Sequence, residues 1–198
     1  MGLEFGYIYG QTPLEEEEKE GLLLDHITKR SELDEFEQQN IEKAVEWIME
    51  RKFTVERVLS EGFVLELHNK MFGNVWSWAG KYRKTDKNIG IDKFLISAEV
   101  YKLNEDCKFW IENKTYTNDE IAIRYKHRIV KIHPFANGNG RHARLMADVI
   151  IEKVLGGQIF SWGNENLVKM SIKRKQYIDS IIDADNGNIL PLILFARS

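Results

Sequence analysis

Along most of the chain, apolar residues recur three and four apart, and short breaks rich in Gly, Pro and Asn interrupt them. That is the periodicity of amphipathic helices joined by turns. Residues 1–30 show weak periodicity and one proline, and read as an extended or partly ordered arm. A helix is predicted from about Glu32, with Leu33, Phe36, Asn40, Ala44, Trp47 and Ile48 at helical spacing. Thr54 is placed to cap a second helix whose buried side comprises Val58, Leu59, Phe63, Leu65 and Met71. The texture then changes. "WSWAGKYRKTDKNIGIDKFLIS" alternates apolar with polar residues and contains Gly80 and Gly90, which predicts a turn and a short β-hairpin. Helical pattern resumes over residues 98–112, and Thr117 with Glu120 offers a capping box for a helix through Ile121, Tyr125, Ile129 and Val130. Pro134 and the glycines after it break that helix. Another, from about Gly140, carries Leu145, Met146, Val149, Ile150 and Val154 inward until Gly156-Gly157. A last helical pair (Tyr177, Ile178, Ile181 and Ile182, then Leu190 to Phe195) follows. The expected fold is mostly α: an arm with the start of the first helix over residues 1–34, then one helical domain with a small β-hairpin over 35–198.

Composition narrows the class without naming a function. With 198 residues, 43% hydrophobic and 30% charged, the chain has the make-up of a globular domain with one substantial core. No apolar run approaches the ~20 residues a membrane span needs, and the start lacks the features of a secretory signal or a myristoylation site. A formal net charge of −3 gives no general attraction to nucleic acid or to an anionic membrane. Lys173-Arg174-Lys175 and Glu15 to Glu18 read as solvated faces. The one cysteine, Cys107, cannot make an internal disulfide and reads as a buried thiol, so the expected compartment is the reducing cytoplasm.

The chemistry gathers in "KIHPFANGNGRHARL", Lys131 to Leu145. A helix N-terminus presents unpaired N–H groups and the positive end of its dipole, and glycines before it let a ligand approach the backbone. Together they suit an anion, usually phosphate. Arg141 and Arg144 lie three apart on nearly one face, where two guanidinium forks can grip a polyphosphate. His133, with its near-neutral pKa, suits deprotonation of a hydroxyl. Transfer of a nucleotide's phosphoryl group to a hydroxyl fits this set. A turn and a structural histidine would explain any one of these residues alone, but not two arginines in register beside a glycine cradle. The spacings of His127, His133 and His142 match no zinc pattern. His127 reads as a core histidine or one standing behind the site, and His142 as exposed. Trp76 and Trp78 read as packing residues beneath the hairpin.

"HPFANGNGR" followed by "HAR" resembles the signature of the Fic (filamentation induced by cAMP) family, His-Pro-Phe-x-Asp/Glu-Gly-Asn-Gly/Lys-Arg with a second arginine three residues on. "LHNKMFGNVWSWAGKYRKTDKNIGI", "HRIVKIHPF" and "RKQYIDSIIDAD" are similar to the family's helix and hairpin, its lead-in and its closing helix, so the likeness runs from about Glu35 to Phe195. The "NGNGRHARL" wording comes closest to a bacterial subgroup, mobile mystery protein B. The resemblance implies a helical Fic-like domain (core motif 133–144) that moves AMP from ATP to a Ser, Thr or Tyr hydroxyl of a target protein. His133 would be the general base. Gly138, Asn139 and Gly140 would cradle the anion, with Arg141 on the β/γ phosphates and Arg144 on the terminal one. Asn88, Ile89, Gly90 and Ile91 would be a flap that docks a target segment by strand addition. Asn137 stands where the family usually has an acidic residue that helps bind Mg2+, so metal would rest mainly on the nucleotide. Glu35, Gln39 and Asn40 fall where many members carry an inhibitory helix whose glutamate pairs with the second arginine; Gln39 in its place implies weak or absent autoinhibition. A toxin–antitoxin-like setting with a helix-turn-helix partner is a further implication of the family. Open alternatives are a nucleotide-binding module with little transfer activity, and transfer of another phosphate-containing moiety.

Overall fold

The computed structural model describes residues 14–24, 27, 29–163 and 170–198. Most of the arm's start, and residues 164–169, lie outside the described residues. The rest of the arm makes one helical turn, α1 (Glu16–Lys19), and then lies along the 75–78 turn, where Leu23 N–H donates to Val75 O (2.8 Å) and Ser77 N–H to Gly21 O (2.8 Å).

Helix α2 (Arg30–Met49) packs on α4 (Glu61–Phe72), the long helix of its pair. The helix predicted from Thr54 is two: Thr54 caps the short α3 (Val55–Val58), Leu59 leaves helical geometry, and Ser60 Oγ accepts Phe63 N–H (3.2 Å) to restart it as α4. Two caps in seven residues make a corner. After the flap come a 3-10 turn (Lys93–Leu95) and α5 (Ile96–Glu112), then α6 (Asn118–Ile132), capped by Thr117 as expected. Helix α7 (Asn139–Val149) runs on through a π-helical turn (Ile150–Val154), and α8 (Met170–Asp185) and α9 (Leu190–Arg197) close the chain. Helix α6 lies between α5 and α7 and also touches α9, so its residues are enclosed on several sides. Phe63, Leu67, Val100, Leu103, Ile129, Phe135, Met146 and Ile150 fill the interior between these helices.

The predicted hairpin is where the fold departs from the pattern. Among the described residues the 79–92 segment contains no strand; a single antiparallel bridge, Leu22 to Trp76, lies outside it. The buried Arg83 explains the difference. Its guanidinium donates to the carbonyls of Thr85 (2.7 Å), Ile91 and His133 (2.7 Å), so acceptors that a ladder would use are taken by a side chain. The flap is bonded instead to the end of α6, through Arg83 N–H to Pro134 O (2.9 Å) and Ile91 N–H to Ile132 O (3.4 Å).

Candidate active site

His133 ends α6 in the left-handed conformation, φ 55° and ψ 60°. For a residue with a Cβ that geometry costs about 1–2 kcal/mol, and surrounding structure must hold it. Here Arg83 grips the His133 carbonyl and Gly90 lies against its side chain; a Cβ on Gly90 would come within 2.7 Å of the His133 Cβ. Burial, reinforced by the Arg83 charge, lowers the His133 pKa to about 4 although a backbone hydrogen bond at Val130 opposes it. The imidazole is therefore neutral at pH 7, the form that accepts a proton. An arriving phosphate would raise that pKa and strengthen the base.

The loop after His133 is closed by a reciprocal pair: Phe135 N–H donates to Asn139 Oδ1 (2.9 Å), and Asn139 Nδ2 donates to Phe135 O (2.8 Å). Asn139 thus braces the loop with its side chain, and only its backbone is placed for an anion. Phe135 stacks on His68, with ring centres 3.7 Å apart. Gly80 N–H donates to His68 Nδ1 (3.0 Å), which leaves Nε2–H to donate to Asn137 O (3.0 Å). Burial holds the His68 pKa well below its usual value, so the ring stays neutral and keeps that tautomer. Gly138 has φ 78°, and a Cβ there would lie 2.6 Å from the Phe72 ring. At Gly140 the opposite holds: a Cβ would meet nothing within 4 Å. Glycine inside a helix costs roughly 1 kcal/mol relative to alanine, and no protein contact explains it at Gly140. The first intrahelical bond of α7 is His142 N–H to Gly138 O (2.9 Å), so the amides of Asn139, Gly140 and Arg141 precede the helical ladder.

The two arginines differ in company. Arg141 Nη1 donates to Glu37 Oε2 at 2.5 Å, and Trp76 Nε1 donates to the other Glu37 oxygen at 2.7 Å. Arg144 forms no ion pair among the described residues; its guanidinium lies 5.9 Å from the centre of the Tyr177 ring.

Several expectations are corrected here. Gln39 and Glu35 are exposed, and Gln39 has no bond to Arg144. Asn40 is buried, but it bonds Phe36 O and Asn74, not an arginine. The carboxylate facing the motif is Glu37, which reaches the first arginine. Two residues turn an α-helix by about 200°, so the face that buries Glu37 exposes Gln39. His142 is buried, donates through Nε2 to Val64 O (3.0 Å), and has its pKa lowered to about 4 by burial. His127 pairs with Asp185 (3.0 Å) away from the site. Trp78 packs under the arm, with Nε1–H donating to Glu18 O (2.9 Å). The flap does lie against His133 through Gly90 and Ile91, with Ile89 half exposed.

A magnesium site held by protein does not fit these residues. The single side-chain oxygen of Asn137 is neutral and accepts Gly138 N–H (2.6 Å), and no cluster of three His, Cys, Asp or Glu among the described residues could hold a metal. A divalent ion would be coordinated by the nucleotide phosphates.

Residues 58–151 match the model of the Fic/DOC family. The protein adenylyltransferase fic-1 of Caenorhabditis briggsae is 30% identical over 138 residues, covering 67% of this chain and 25% of that protein. The protein adenylyltransferase Fic of Nematostella vectensis is 23% identical over 173 residues, 85% of this chain and 39% of that protein. The chain thus spans about a quarter to two fifths of these relatives. The same fold recurs in Fic-1 of Caenorhabditis elegans, with a TM-score of 0.64 and 19% identity over 90% of this chain and 51% of that one. It recurs too in BepC of Bartonella tribocorum, solved with bound AMPPNP, with a TM-score of 0.66 and 17% identity over 92% and 97%. The histidine at a strained helix end, the glycine-lined helix start and the paired arginines all fall within or beside the matched segment, and this chain carries a Fic/DOC family domain.

Proposed function

We propose that this chain is a protein adenylyltransferase that transfers AMP from ATP to a Ser, Thr or Tyr hydroxyl of another protein. The observation that carries the reading is the buried, neutral His133 beside the start of α7, where Gly140 leaves space that no side chain claims. The target hydroxyl attacks the α-phosphorus, the bond to the leaving pyrophosphate breaks, and His133 takes the hydroxyl proton. Amides at the start of α7 and the two guanidinium groups offset the charge that develops on the phosphates. Arg141 must first exchange Glu37 for phosphate. Asn88 to Ile91, already bonded to the end of α6, would present the target backbone to His133 by strand addition. The names of the curated relatives, and AMPPNP in BepC, support ATP as donor. A single cysteine, Cys107, requires no oxidising compartment, and we place the chain in the cytoplasm.

The test is incubation with ATP labelled at the α-phosphate, with Mg2+ or Mn2+, followed by detection of label on the chain and on lysate proteins. His133→Ala should reduce labelling by about 10²–10⁴-fold while ATP still binds. Label that persists in His133→Ala rejects the base, and ATP binding without any labelled product reduces the reading to a nucleotide-binding module. The same assay with the other nucleoside triphosphates identifies the donor.

A further inference from the structure

Lys126 lies two helical turns before His133 on α6 and is fully buried. Its ammonium forms no ion pair among the described residues and has no carboxylate bonded to it; the Tyr177 side chain is its polar neighbour. The Nζ sits 4.3 Å from the centre of the Tyr177 ring, the same ring against which Arg144 rests. Two cations from α6 and α7 therefore share one aromatic ring from α8. The closest acidic neighbour of Arg144 in sequence on α7, Asp148, feels that guanidinium's charge but spends its hydrogen bonds on Trp162 Nε1 (3.0 Å) and Phe160 N–H (3.1 Å). Helix α6 offers acid partners elsewhere: Asp185 is taken by His127 and Lys131, and Asp106 by Arg128.

A buried charge without a partner is among the most costly features a fold can hold, and an apolar residue of similar shape is usually the more stable choice. Burial lowers the ammonium's pKa, the Tyr177 hydroxyl offsets that only in part, and the Arg144 charge lowers it further. The charge has purpose where a counter-charge arrives from outside. Arg144 is the open guanidinium of the phosphate site, and repulsion from Lys126 disfavours its withdrawal toward the interior.

We propose that Lys126 is a positioning residue for Arg144, and that the counter-charge this Lys126–Tyr177–Arg144 cluster lacks within bonding distance is the terminal phosphate of the bound nucleoside triphosphate. The inference rests on the nucleotide reading above and adds to it a determinant for triphosphate over monophosphate. Lys126 does not touch the ligand; it holds Arg144 outward and adds its field to the site.

The experiment compares wild type and Lys126→Met by calorimetry with ATP, AMP and inorganic tripolyphosphate, together with thermal unfolding. Lys126→Met should weaken ATP and tripolyphosphate by roughly five- to twentyfold, leave AMP within about twofold, and melt at the same or a higher temperature. A merely structural lysine would instead lower the melting temperature and weaken AMP and ATP alike; that result overturns the proposal, as does unchanged ATP affinity. If the variant does not fold, the Lys126 side-chain NMR resonance of wild type is followed during titration with tripolyphosphate. A shift that saturates with binding supports the cluster, and no shift rejects it. Wild type that binds neither ATP nor tripolyphosphate rejects the nucleotide reading and this inference together, whereas wild-type binding with no effect of Lys126→Met rejects the inference alone.

Discussion

Arg141 and Arg144 stand three residues apart on α7, yet the fold treats them oppositely. Arg141 is bonded to the buried Glu37 of α2, whose second oxygen is held by Trp76. Arg144 rests on Tyr177 of α8 beside another cation, with no carboxylate bonded to it. For Arg141, a phosphate replaces an existing ion pair, and the net gain is the difference between two good interactions. For Arg144, a phosphate displaces no bonded carboxylate; Asp148 acts on the guanidinium only through its field. The same side chain therefore has different worth to a ligand depending on what the distant helix supplies.

That contrast can be broken most forcefully at Arg141. Arg141→Ala leaves the Glu37 carboxylate buried without its cation, and unfolding stability should fall by about 3–5 kcal/mol, measured by denaturant titration. Arg144→Ala strands no carboxylate bonded to it, so stability should change by less than about 1 kcal/mol, while ATP affinity should drop about 10–100-fold. Equal stability losses in the two variants would show that the Glu37 pair is not the difference between them. Glu37→Gln keeps an acceptor for Trp76 but removes the ion pair; ATP should then bind several-fold more tightly by calorimetry, at a stability cost of about 1–3 kcal/mol.

The pH profile tests the proposed base, His133. The folded pKa of His133, about 4, lies below the unfolded value of about 6.5. The neutral form thus persists as pH falls, and the acid limb of kcat/KM should appear near pH 4–5, not near 6.5. His142 has the same direction and a similar value. The stability that both neutral rings contribute is complete above about pH 6.5 and is lost as pH falls through about 4. The smallest effect is expected at Gly140. Gly140→Ala should raise stability by up to about 1 kcal/mol, because nothing in the protein opposes the methyl group, and should weaken ATP binding because the ligand does.

Much of the site was legible in the sequence because it is local. Helix end, loop, glycines and both arginines fall within Lys131 to Leu145, and helical spacing alone puts the arginines on one face. The mostly helical class followed from periodicity in the same way. The flap shows where this reading stops. Alternation and glycines suggested a hairpin, but Arg83 took the carbonyls that would have formed the ladder. The signal was present in the "WAGKYR" run, yet nothing local says that this arginine turns inward. On α2 the error was one of helical phase: Gln39 and Glu37 lie on opposite sides, and only packing against α4 decided which of them is buried.

By itself, then, the sequence determined most of the helices, the glycine-bearing loop between α6 and α7, and the spacing of His133, Arg141 and Arg144. These depend on interactions a few residues apart. Tertiary structure alone decided that Glu37 closes on Arg141 across 104 positions, that Arg83 binds the flap to His133, that His142 is interior, and that Lys126 is buried beside Arg144. The reason is physical: side-chain charge and pKa depend on desolvation and on partners brought in from other elements, and neither is encoded in the spacing of neighbouring residues.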